Sequence, residues 1–163
     1  MALEFDMQSD ADISTADFRS FLAAAVEGEH SQDGTIFRPD MYVMAGRVTP
    51  DTEDPTTELF GFRERISATY RFANLAEASA RDHNIAVMVS SILAFAERYT
   101  SRGVLLYNGD IAVIQWAPDE VVFHSEWEDW SELEEVIPLI AGHVMRPLPQ
   151  PLISRSTDAR DSG

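Results

Sequence analysis

Phe60-Gly-Phe-Arg-Glu-Arg-Ile-Ser-Ala-Thr-Tyr-Arg-Phe72 reads as two interleaved patterns. Phe60, Phe62, Ile66, Ala68, Tyr70 and Phe72 share one parity, and Arg63, Arg65, Ser67, Thr69 and Arg71 share the other. Successive side chains of an extended chain point to opposite faces, so the alternation predicts one long strand with an apolar and a polar side. Only Glu64 interrupts the apolar parity. A strand with one wet face belongs to an antiparallel sheet covered on one side, because a parallel sheet buried on both faces calls for continuous apolar runs. The rest of the chain must therefore supply neighbouring strands and a cover.

Upstream, residues 2–7 alternate, with Leu3, Phe5 and Met7 opposite Glu4 and Asp6, which predicts a first strand. Ser14 and Thr15 then precede Phe18, Phe21, Leu22, Ala25 and Val26, a stripe at helical spacing behind an N-cap, with Gly28 placed to stop the helix. Residues 29–34 read as a polar loop, 35–38 and 41–49 as extended, and 51–57 as a turn. Downstream, Asn74 and Glu77 have capping-box spacing ahead of Ile85, Met88, Val89, Ile92, Phe95, Ala96 and Tyr99, a second helix expected to end at Arg102-Gly103. Asn108-Gly109 between two apolar runs predicts a hairpin with a type I′ turn. A further strand is expected over 120–125, and Trp127, Trp130, Leu133, Val136 and Ile137 suit a short helix or loop. The expected fold is α+β: a mainly antiparallel sheet of about five to six strands packed on two principal helices. Residues 1–145 form a single domain in this reading, and 146–163, rich in Pro, Arg and Ser, a disordered tail.

Acidic residues outnumber basic ones 28 to 12, every basic residue is Arg, and the formal net charge is −16. Such a field repels nucleic acid and anionic lipid and speeds encounter with a basic partner. With no Cys there is neither a disulfide framework nor a thiolate site. The N-terminus lacks a basic segment followed by an apolar one, and no apolar run has the length of a membrane span, so a cytoplasmic protein is expected.

Chemistry-bearing patterns are sparse. His30, His83, His124 and His143 form no spaced metal-binding pair, no Gly-x-Ser-x-Gly elbow is present, and the missing Lys removes any Walker or Schiff-base lysine. Clustered acids are more often a solvated face than a glycosidase pair, and no calcium loop occurs. Neither cofactor nor metal is expected. Of the histidines only His124, beside Ser125 and Glu126, suggests a hydrolase, which would need a deep apolar pocket around it. The reading from the residues is a binding protein.

Its charge is lopsided. Between Gly103 and Met145 there are nine acids and no Arg. Within that stretch Trp127 and Trp130 alternate with Glu126, Glu128 and Asp129, flanked by Asp119, Glu120 and Glu132. Aromatic anchors within an acidic rim are a frequent interface composition, the aromatics supplying affinity and the charges steering a complementary partner. Those eight residues are the candidate partner-binding set. The alternative is that both Trp side chains pack in the core while the acids face water.

The order of these elements resembles the third type of SitI immunity protein of bacterial swarming-inhibition toxin systems. The resemblance is carried by the Met-Ala-Leu-Glu-Phe start, the strand ending Tyr70-Arg71-Phe72, the segment Leu105-Leu106-Tyr107-Asn108-Gly109-Asp110, and the acidic segment with Trp127 and Trp130. It covers residues 1–140; the insert around 51–57 and the tail fall outside its pattern. It implies a cytoplasmic inhibitor that binds a cognate protein toxin with a basic surface and has no catalytic residues of its own. An acidic nucleic-acid mimic that inhibits another nuclease or defence system shares the same physics, and a structural subunit of a larger assembly would instead show an apolar sheet edge.

Overall fold

The computed structural model describes residues 3–52 and 55–151. In chain order the elements are β1 (Glu4–Ser9), α1 (Thr15–Ala25), β2 (Glu29–His30), β3 (Ile36–Arg38), β4 (Met41–Arg47), β5 (Ile66–Phe72), α2 (Ala78–Arg98), β6 (Gly103–Tyr107), β7 (Ile111–Ala117), β8 (Glu120–His124), α3 (Asp129–Glu132), α4 (Ile137–Ile140) and β9 (Val144–Arg146). Short 3-10 turns occupy Pro50–Thr52 and Pro55–Phe60. One open sheet runs β2-β3-β4-β5-β1-β6-β7-β8-β9. Every neighbouring pair is antiparallel except β8 and β9.

The α+β class and the two principal helices agree with expectation, but the sheet has nine strands rather than five or six. The short strands account for the difference. β2 lies in the stretch read as a polar loop and β9 straddles the expected start of the tail. Strands of two or three residues have no alternation to display, and only the neighbour they pair with makes them strands. Of the expected tail, Arg146 ends β9 and Leu148 is buried, while 152–163 lie outside the described residues.

The long strand expected over 60–72 is also corrected. β5 begins only at Ile66, after a 3-10 turn that ends at Phe60 and a Gly61 at φ 79°. Ile66, Ala68, Tyr70 and Phe72 face the main core beneath the helices, as their parity predicts. Phe60 and Phe62 instead join Val104, Leu106, Ala112, Val122 and Leu148 in a smaller cluster. Leu105 faces the main core, so its neighbours Val104 and Leu106 point to the opposite side of the sheet, and the smaller cluster covers that side. A glycine at positive φ lets the chain turn there without steric cost, so a parity shared across it carries no information about face.

Both helices lie on the main-core face. Ser14 caps α1 by accepting a hydrogen bond from the Asp17 N–H at 3.0 Å. The left-handed residue at its other end is Glu27 at φ 55°, with the Gly28 N–H donating to the Ala23 carbonyl and the Glu27 N–H to that of Ala24. α2 starts at Ala78 with no side-chain cap, so the Asn74–Glu77 capping box does not form, and it ends at Arg98. Gly103 opens β6 instead of closing α2. A Cβ added there would lie 2.0 Å from the Trp116 ring, so the residue is needed for close packing. Tyr70, fully buried on β5, ties the sheet to α2 through a hydrogen bond between its hydroxyl and that of Ser91 at 2.8 Å.

Candidate functional site

The acidic segment is positioned by an irregularity in the β6–β7 hairpin. The turn forms as expected, with Asn108 at φ 49°, Gly109 at φ 79° and the Asp110 N–H donating to the Tyr107 carbonyl at 3.1 Å. Leu106 pairs with Ala112 but Leu105 pairs with Ile114, leaving Val113 as the extra residue of a bulge. A bulge leaves ladder groups unpaired. The Val113 carbonyl is satisfied by the Trp130 indole N–H at 2.9 Å, and Trp130 packs edge-on against Phe123. Trp130 is buried in the main core. Trp127 is half-buried with its ring 4.8 Å from that of Tyr107, and its indole nitrogen has no hydrogen-bond partner among the described residues.

These two anchors set α3 against the N-terminal part of α2. Asp129, half-buried, has Arg81, Asp82, Glu132 and Glu128 in its electrostatic surroundings. Burial is the main cause that holds its carboxyl above the ordinary carboxylate range; the attraction of Arg81 opposes it, and the like charges of Asp82, Glu132 and Glu128 add to the rise. Glu128 and Glu132 are exposed. Beside them His83 Nδ1 meets Glu135 Oε1 at 2.7 Å, an exposed link from α2 to the segment before α4.

The structure divides the eight candidate residues. Glu126, Trp127, Glu128, Asp129, Trp130 and Glu132 come together beyond the end of β8, with Trp130 inside. Asp119 and Glu120 lie in the turn that begins β8, beside Leu93, Ala96 and Glu97 of the C-terminal part of α2. The helix rise places Glu97 about 20 Å along α2 from Asp82. Asp82 and Arg81 were not in the sequence-derived set, because nothing in a local pattern says which helix α3 will meet.

His124 offers little for hydrolysis. It is buried, and its Nδ1 accepts the Leu148 N–H at 2.9 Å. Burial lowers its pKa, against an opposing pull from Glu126. Among the described residues no group of three His, Asp or Glu side chains is placed to hold a metal ion, and no helix is long and apolar enough to cross a membrane. What the arrangement can do is present crowded carboxylates to a cationic surface.

No curated protein and no solved structure matches the chain. The family described as SitI3-like matches residues 3–134, which takes in every element from β1 to α3, and the chain belongs to that family of immunity proteins.

Proposed function

We propose that the protein neutralises its cognate toxin by binding a basic surface of it at the acidic end formed by α3 and the start of α2. The observation that carries this reading is the approach of α3 to the start of α2, which sets half-buried Asp129 and the exposed Glu128 and Glu132 beside Asp82. Asp82, Glu128 and Glu132 add their like charge to that of half-buried Asp129 while Arg81 opposes it, and a guanidinium or ammonium group of a partner would relieve the imbalance. Perturbed groups retained on a surface are a mark of functional sites. Trp127 supplies half-exposed aromatic area beside the acids, whereas Trp130 supports the surface from within.

The test uses the protein and its cognate toxin. Glu128→Gln with Asp129→Asn is expected to slow association about tenfold and weaken protection of toxin-challenged cells, while the free variant melts at a higher temperature than the wild type. Undiminished protection by the double variant would show that this surface is not the contact.

A further inference from the structure

At the other end of α2, a cleft of about 310 Å³ lies between the helix and the β7–β8 turn. We infer that it receives one arginine or lysine side chain of a basic protein partner. That the partner is the toxin rests on the immunity reading; the chemistry of the cleft does not.

Three observations define the occupant. The volume is at the lower end of the range for ligand sites, about 300 to 1,000 Å³, which suits one long side chain better than a larger molecule. Leu93, Ala96 and Val121 form an apolar floor and are each half-exposed in the free chain. Glu97, Asp119 and Glu120 stand at the rim, all exposed. Glu120 holds Arg146 at 3.0 Å, so the rim already binds one guanidinium, whereas Glu97 and Asp119 carry no ion pair among the described residues. The neighbouring Arg98 is engaged over the Tyr99 ring at 4.7 Å.

Arg and Lys are the side chains that match such a site, with an aliphatic stem for the floor and a charged head for the rim. A purely apolar occupant would strip water from two carboxylates with no counter-charge. Anions and nucleic acid are repelled, and a second copy of the chain carries the same net charge of −16. The cleft lies about 20 Å along α2 from the Asp129 cluster, so one partner could engage both ends of the helix, each by its own basic group.

The full chain is titrated with N-acetyl-arginine N-methylamide, and with its neutral citrulline counterpart, while backbone amide shifts are followed by NMR. The arginine compound is expected to give saturable shifts at residues 93–97 and 117–121, reduced by added salt, and citrulline much smaller ones. Glu97→Gln with Asp119→Asn, both exposed and isosteric, should abolish most of that response, and Glu128→Gln should leave it intact. Equal shifts with citrulline, no saturable shift at the cleft, or an unchanged response in the double variant would overturn the inference. In a second arm the Glu97→Gln/Asp119→Asn variant should dissociate faster from the toxin than the wild type. Toxin binding equal to wild type would show that the cleft is not a docking point even if it takes arginine. If the wild type itself gives no protection, the immunity reading fails and the titration still decides the cleft.

Discussion

Trp130 shows how a single residue can look like an interface anchor in the sequence and be part of the core. Its indole closes the hydrogen-bonding gap that the Val113 bulge opens. Trp130→Phe keeps most of the ring area but leaves that buried carbonyl without its donor, and is expected to cost about 1–3 kcal/mol, read from urea unfolding. The neighbouring Trp127 differs in exposure although it sits in the same acidic pattern. Sequence spacing could not separate the two, because the segment is mostly turn and one four-residue helix, with too few residues for a period to assign faces. Gly103 is a similar case: its presence was legible, but its reason is the Trp116 ring packed over it rather than a helix cap.

At the scale of elements, the segment after β9 is latched to the sheet by side chains. β7 pairs with β8 only from Ile114 onward, so Ala112 has no partner on that side. Gln150 fills the place of a strand there, accepting the Ala112 N–H at 2.8 Å and donating to its carbonyl at 3.2 Å. His124 accepts the Leu148 N–H, which seats Leu148 in the smaller apolar cluster. A protonated imidazole cannot accept that bond. Because the folded-state pKa of His124 lies below its unfolded value, the unfolded chain takes up the proton first. Its contribution is therefore complete above about pH 7 and declines as pH falls through about 6.5 toward the lower folded value. Hydrogen exchange should show the protection factor of the Leu148 amide falling on acidification before those of the main-core strands; a Leu148 protection factor independent of pH over that interval would rule the latch out. The proline- and arginine-rich composition beyond residue 145 carried no hint of this, since one leucine and one glutamine make no periodic pattern.

For the whole molecule, charge and fold pull against each other. A net charge of −16 favours encounter with a basic partner and repels itself in the compact state. Added sodium chloride should therefore raise the melting temperature of the free protein while slowing association with the toxin, whereas a contact dominated by apolar surface would show little slowing. The same separation divides what each level of description determines. The α+β class, the two long helices, the antiparallel character of β5, the Asn108-Gly109 turn and the acidic C-terminal half follow from the sequence, because each depends on local periodicity, turn stereochemistry or composition. The extent of the sheet, the side of it on which Phe60 and Phe62 lie, the burial of Trp130 and the meeting of Asp82 with Asp129 were decided only by the tertiary structure. Two-residue strands, a reversal at Gly61 and the approach of α3 to α2 are held by contacts between segments distant in the chain, and no local pattern records which segments will meet.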